Sequence, residues 1–175
     1  GRLYNHVAWP YYLDITPRLE AQWINCARII RITQGDAGIP ESQWLETDDA
    51  RGDSDRLKFN RAVVLTAMRR LATDGMSIPI AENLDPETIP RVAARIALGG
   101  RSADYSGFLP GIFEEALLTL EQNVPLYLLG GFGGTTEALA EALIHGGSKA
   151  FTLERHRKYA NVAKLQQLCK KMPRP

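Results

Sequence analysis

Two stretches concentrate the groups that could handle a charged small molecule. The first is LGGRSADYSGFLPGIFEEAL, residues 98–117, and the second is LYLLGGFGGTTE, residues 126–137. Each puts a glycine pair where an apolar run ends and a helix is about to start. Glycine lets the main chain come close to a ligand, and a helix start supplies unpaired N–H groups with partial positive charge. That combination suits phosphate. A strand-to-helix turn needing positive φ uses glycine in the same way, so one pair alone decides little.

The first stretch carries the richer chemistry. Arg101 follows Gly99 and Gly100 and can grip phosphate or carboxylate with two parallel hydrogen bonds. Ser102, Tyr105 and Ser106 add hydroxyls, and Tyr105 or Phe108 could stack on a base. Gly111 then opens a helix with Glu114 and Glu115 in its first turn. Helix-end electrostatics account for a carboxylate there. A second one facing the same crevice would suit ribose hydroxyls, or charge developing on a sugar as in glycoside hydrolysis. In the second stretch, Gly130, Gly131, Phe132, Gly133, Gly134 and Thr135 are expected to supply main-chain room beside that ligand. Thr136 adds a further hydroxyl. ITQGDAGIP (32–40) is either a flap closing through Gln34 and Gly35 or an ordinary surface turn.

Other chemistries find little support. His6, His145 and His156 share no metal-ligand spacing and no obvious nucleophile partner, so neither a metal nor a catalytic residue is assigned, and no cofactor is expected. Cys26 and Cys169 form no disulfide framework. Cys26, inside an apolar stretch that reads as helix, is expected to be a buried thiol, and a reducing, cytoplasmic setting is favoured. Net charge is +1, which gives no general pull toward nucleic acid or membrane. No apolar run approaches the roughly 20 residues of a spanning helix, and no signal peptide is expected. The first residue is Gly, which reads as a piece of a longer chain or a processed product.

Elements that alternate must position these loops. HVAWPYYLDI (6–15) reads as a strand and LEAQWINCA as a helix capped by Thr16-Pro17. ARIIRITQ (27–34) reads as a second strand, and 35–55 as a long polar loop. Leu57, Val64, Leu65, Met68 and Leu71 recur at helical spacing over 56–73, and Gly75 stops that helix. SIPIAENLDPETIP reads as irregular. RVAARIALGG (91–100) is a strand, GIFEEALLTLEQN a helix, and PLYLLGG a strand apolar enough to be buried on both faces. GTTEALAEALIHGG is the next helix. The expectation is an α/β, Rossmann-like three-layer domain with a largely parallel sheet and helices on both faces. It occupies 1–150, with 151–175 a basic amphipathic helix packed on it. Both glycine pairs then lie at carboxyl ends of strands, where open α/β sheets bind ligands.

The run ARIALGG…PGIFEEALLTLEQNVPLYLLGG resembles the core of the LOG-like (SLOG) superfamily of Rossmannoid nucleotide-binding proteins, which includes cytokinin-activating phosphoribohydrolases. The family signature is strand–PGGxGTxxE–helix. Leu98 stands at its proline, Gly99 and Gly100 at its glycines, Gly111 at the third and Glu115 at the glutamate. Ten residues, Arg101 to Pro110, replace a single one, and Ile112 replaces the threonine. LGGFGGTTE can be laid on the same signature, ending at Glu137. TAMRRLA (66–72) is similar to a family helix that brings an arginine to phosphate, which makes Arg69 or Arg70 its counterpart.

The resemblance spans residues 60–145. The two loops look most like SLOG domains fused to TIR or Sir2 effectors in prokaryotic antiphage systems of the Thoeris type. It implies a sensor for a nucleotide-derived signal, such as ADP-ribose or cyclic ADP-ribose, that acts on an attached effector through oligomerisation. The alternatives are a phosphoribohydrolase cleaving a nucleoside monophosphate and an assembly domain with a vestigial pocket. Membrane partners are not expected and nucleic acid is disfavoured.

Overall fold

The computed structural model describes residues 3–79 and 85–146. The chain forms two compact units, Gly1–Val92 and Ala93–Pro175. Both mix helices with parallel strand pairs, so the molecule is of the α/β class.

In the first unit, β1 (Leu3–Ala8) runs parallel to β2 (Ala27–Ile32), from Leu3 opposite Ala27 to Ala8 opposite Ile32. Helix α1 (Pro17–Trp23) makes the crossover. Its start follows the sequence signal: Pro17 needs no N–H bond, and Thr16 Oγ1 accepts from Leu19 N–H at 3.3 Å. Two expectations are corrected here. The first strand begins earlier and stops at Trp9-Pro10, where proline has no donor, and residues Tyr11–Asp14 form a 3-10 turn. Cys26 lies beyond the end of α1, exposed, with its thiol 3.4 Å from the Trp23 carbonyl.

Helix α2 (Asp55–Asp74) is capped by Ser54, whose Oγ accepts from Leu57 N–H at 3.1 Å, and it buries Leu57, Val63, Val64 and Leu65. Gly75 ends it at φ 83, its N–H on the Leu71 carbonyl. A Cβ at Gly75 would stand 2.6 Å from the Ile89 carbonyl oxygen, so the same glycine lets a hairpin close against the helix end. That hairpin, β3 (Met76–Ile78) with antiparallel β4 (Glu87–Ile89), lies in a stretch whose prolines suggest irregular chain. Glu87 ties it to the parallel pair, accepting from Tyr4 Oη at 2.7 Å and pairing with Arg28.

His6, in the middle of β1, has a buried Nε2 with no hydrogen-bond partner among the described residues. Burial pushes its pKa below the usual histidine value. The unfolded chain therefore binds a proton near pH 6.5 that the folded unit resists, and stability falls as pH drops from 7 through that range. The loss should stay under about 1.4 kcal/mol per pH unit, the limit for one proton. Urea unfolding from pH 7.5 to 5, followed by tryptophan fluorescence, should show this slope, and His6→Leu should flatten it.

In the second unit, β5 (Arg95–Leu98) pairs in parallel with β6 (Leu126–Leu129), Leu98 opposite Leu129. Helix α3 (Gly111–Glu121) connects them, and α4 (Gly134–His145) follows β6. Both helices pack on the strand pair, burying Ala97, Ala116, Leu118, Val124 and Leu139. The expectation that β6 is covered on both faces is not met among the described residues. Ile96 and Tyr127, then Leu98 and Leu129, are cross-strand pairs, and they are 65%, 57%, 53% and 44% exposed. The basic helix expected over 151–175 lies outside the described residues. No described helix is long and apolar enough to cross a membrane.

Candidate functional site

The two glycine turns leave the same end of the β5–β6 pair, because Leu98 and Leu129 are in register. They are bonded to each other. Thr135 N–H donates to the Gly100 carbonyl at 3.1 Å, and Thr136 N–H donates to the Gly99 carbonyl at 2.9 Å. Two of the first amides of α4, which a phosphate would otherwise seek, are therefore used inside the protein. The glycines sort accordingly. Gly134 has φ 71, and a Cβ there would lie 2.3 Å from the Gly100 oxygen. Gly100 has φ 90, and its Cβ would meet Ile112 of α3 at 2.6 Å. Both are required by the close approach of two backbones or of a helix.

Gly131 is different. A Cβ there would meet nothing within 4 Å, and its φ is not in the left-handed region. Nothing in the fold asks for glycine at that position. Neither Gly131 N–H nor Gly134 N–H has a hydrogen-bond acceptor among the described residues. Thr135 and Thr136 are 1% and 0% exposed, and neither hydroxyl has a hydrogen-bond partner among the described residues. An unsatisfied buried hydroxyl costs about 1–3 kcal/mol. Thr135 Cβ lies 3.4 Å from where a Gly100 Cβ would stand, so this side chain faces the first glycine turn.

A protein-family model described as SLOG cluster2 matches residues 82–174, just over half of the chain. The chain belongs to the SLOG family. The match takes in the whole described part of the second unit, which holds both glycine turns. Comparison with curated proteins gave no match, and comparison with solved structures gave none.

Within the SLOG domain, the predicted residues divide by what they already touch. Gly99, Gly100, Gly130, Gly131, Gly133, Gly134 and Thr135 come together at the strand ends, with Phe132 between the glycines and 71% exposed. Gly99 has φ 62 and open space where its Cβ would be. Arg101 is exposed, with no ion-pair partner among the described residues. Ser102 and Tyr105 are half-buried in the loop before α3, and Tyr105 is already engaged within the protein. Gly111 is the first residue of α3, next to Ile112, which packs against Gly100.

The two glutamates are occupied. Glu114 is 6% exposed and engaged. Glu115 Oε2 accepts from Arg95 Nη1 at 2.7 Å, while Arg95 Nε donates to Thr119 Oγ1 at 2.7 Å. Glu115 thereby clamps α3 to β5. Arg95 went unnoticed in the sequence, although an arginine inside an apolar strand, two dozen residues before a helical threonine, is the available signal. Glu137, in the first turn of α4, is exposed, with Oε2 3.9 Å from where a Gly133 Cβ would stand.

Gln34 and Arg69 belong to the first unit. Gln34 is 6% exposed. Its amide donates to the Leu45 carbonyl at 3.0 Å and accepts from Leu45 N–H at 3.1 Å and from Asn60 Nδ2 at 3.0 Å. The side chain imitates a strand neighbour and organises the 35–55 loop. Arg69 is 8% exposed in α2 and engaged there. A separate cleft of about 710 Å³ in this unit runs along β2 beside Ile24, Asn25 and Cys26. Its two guanidiniums are paired, Arg28 with Glu87 and Arg31 with Glu20, and Arg31 holds the Glu20 carboxyl below its usual range. Among the described residues, no group of three or more His, Cys, Asp or Glu could hold a metal ion.

Proposed function

We propose that the SLOG domain is a sensor that binds a nucleotide-derived signal at the GGFGG turn and passes a change of assembly to an attached effector. The observation that supports this reading is the pair of glycine turns bonded to each other at one end of the β5–β6 pair, with Gly131 open and Arg101 exposed directly after Gly100. A phosphate accepts hydrogen bonds and would meet the Gly131 and Gly134 amides at a positive helix end. Arg101 leaves the neighbouring turn exposed and with no ion-pair partner among the described residues, and Glu137 would offer an acceptor for ribose hydroxyls. ADP-ribose or a cyclic ADP-ribose has this chemistry. The bare apolar pairs Ile96–Tyr127 and Leu98–Leu129 supply surface for assembly with a second copy. The effector is taken to be TIR-like and the setting antiphage defence, on the resemblance alone.

Arg101→Ala should weaken ADP-ribose binding more than tenfold in calorimetry, with the circular dichroism spectrum unchanged, since an exposed side chain contributes little to folding. Equal affinity in the variant would remove Arg101 from the site.

The hydrolase reading rests on Glu137, the exposed carboxylate at the turn. Acid–base cleavage of an N-glycosidic bond would draw on paired carboxylates, and Glu114 and Glu115 are both engaged. Chromatography of AMP after long incubation with the protein tests it. Released adenine that disappears in Glu137→Gln would replace the sensor by an enzyme.

A further inference from the structure

Among the described residues, the β5–β6 pair carries helices on one face only. Arg95 reaches Glu115 and Thr119 of α3, and Ala97 is buried on the same side. Strand alternation puts Ile96 and Leu98 on the other face, in register with Tyr127 and Leu129. Those four side chains are 44% to 65% exposed. Single exposed apolar residues are ordinary, but a contiguous apolar patch on a parallel strand pair marks a surface that something covers.

The chain itself supplies the occupant. Helix α4, which packs on these strands, ends at Gly146 in a left-handed turn, and 29 residues follow it. A helix of about 18 residues is about 27 Å long, enough to cross strands of about 13 Å and still leave a linker. Tethered at the end of α4, the segment has an effective concentration of about millimolar at its own domain, an advantage that a second copy lacks. The SLOG match runs on to residue 174, so the segment is part of the matched region. Its sequence suits an apolar surface, because Val162, Leu165, Cys169 and Met172 recur at i, i+3, i+7 and i+10, one stripe of a helix. It also holds eight of the 21 lysines and arginines and one of the 20 acids, which leaves 13 cations against 19 acids in residues 1–146. Opposite net charges draw the two parts together.

We propose that this face is the docking site of residues 147–175 of the same chain, with the Val162–Met172 stripe laid on Ile96, Leu98, Tyr127 and Leu129. The segment and a second copy then contend for one surface, so assembly through it begins with release of the segment. That consequence rests on the sensor reading; the docking does not.

Cys169 lies in the stripe and serves as the probe. The test uses the full chain carrying Cys26→Ser and Tyr127→Cys, with Leu129→Cys as a second variant, treated with a short bis-maleimide. Mass spectrometry of the monomer band should show the new thiol joined to Cys169. A control thiol from Leu120→Cys, 52% exposed on α3, should be joined several-fold less. Leu165→Asp should lower the yield at position 127, with an unchanged circular dichroism spectrum, and should raise self-association in sedimentation.

Equal yields at positions 120 and 127, or no link at 127 and 129, would overturn the docking. Links found only between chains, in a mixture of isotopically light and heavy protein, overturn it as well and give the face to a second copy. A link within the chain whose yield ADP-ribose leaves unchanged upholds the docking and counts against the sensor reading alone.

Discussion

Gly134→Ala should cost about 3–5 kcal/mol, while Gly131→Ala, three residues earlier, should stay within about 0.5 kcal/mol of wild type. The first number has three sources. An alanine at φ 71 carries about 1–2 kcal/mol of left-handed strain. Its Cβ would lie 2.3 Å from the Gly100 oxygen and 3.0 Å from the Gly99 carbonyl carbon, and both are backbone atoms that cannot swing aside. Separating the turns to relieve that clash loses the Thr135 and Thr136 amide bonds, each contributing about 1 kcal/mol.

Gly131 has neither problem, so a methyl group there changes only what can approach the turn. ADP-ribose affinity should fall more than tenfold in Gly131→Ala at unchanged stability. The measurement is urea unfolding by far-ultraviolet circular dichroism. Tryptophan fluorescence serves as the internal reference, because Trp9, Trp23 and Trp44 all lie in the first unit. Equal destabilisation by both substitutions would mean that the turn is built for packing throughout.

Removing the Arg95 side chain should be the next largest loss. Arg95 is 15% exposed and makes two charge-assisted bonds at 2.7 Å, to Glu115 and Thr119. Breaking a buried ion pair costs about 3–5 kcal/mol, and Glu115, at 28% exposure, keeps some contact with water, so about 2–3 kcal/mol is expected for Arg95→Ala. Glu115→Gln keeps the shape and one acceptor and should cost about 1 kcal/mol. A double-mutant cycle should give a coupling of about 1–2 kcal/mol between the two. Unlike Arg101→Ala, Glu115→Gln should leave ADP-ribose affinity within twofold. A strong binding defect in Glu115→Gln with no coupling to Arg95 would return that carboxylate to the ligand site.

How far the sequence could be followed depended on whether a feature is local. The cap at Thr16-Pro17, the stop at Gly75 and the two strand–glycine–helix units were readable because each is set by a few neighbouring residues. The α/β class followed from their alternation. What could not be read is set by contacts between distant segments. Glu115 looks free until Arg95, twenty residues earlier, reaches it across the α3–β5 packing. Gln34 looks like a flap residue until Leu45 and Asn60 consume its amide. The apolar strand PLYLLGG suggested cover on both faces, but hydrophobicity does not say whether the second cover comes from the same unit, and Tyr127 and Leu129 are exposed. The glycines of GGFGG looked equivalent in sequence. In the structure Gly134 is required by its approach to the Gly100 oxygen, Gly133 has φ 76, a Gly130 Cβ would meet Ala140 Cβ at 3.3 Å, and Gly131 alone of the four has neither constraint.

The central claim is that the GGFGG turn of this SLOG domain holds a nucleotide. Its most direct test is a thermal-shift titration of the full chain with ADP-ribose, cyclic ADP-ribose and AMP, run side by side on wild type and Gly131→Ala. A ligand at 100 times its dissociation constant should add about 2.7 kcal/mol of apparent stability to wild type, and Gly131→Ala should lose most of that gain. Wild type that shows no shift with any of the three at millimolar concentration, or a shift that Gly131→Ala fully retains, would contradict it.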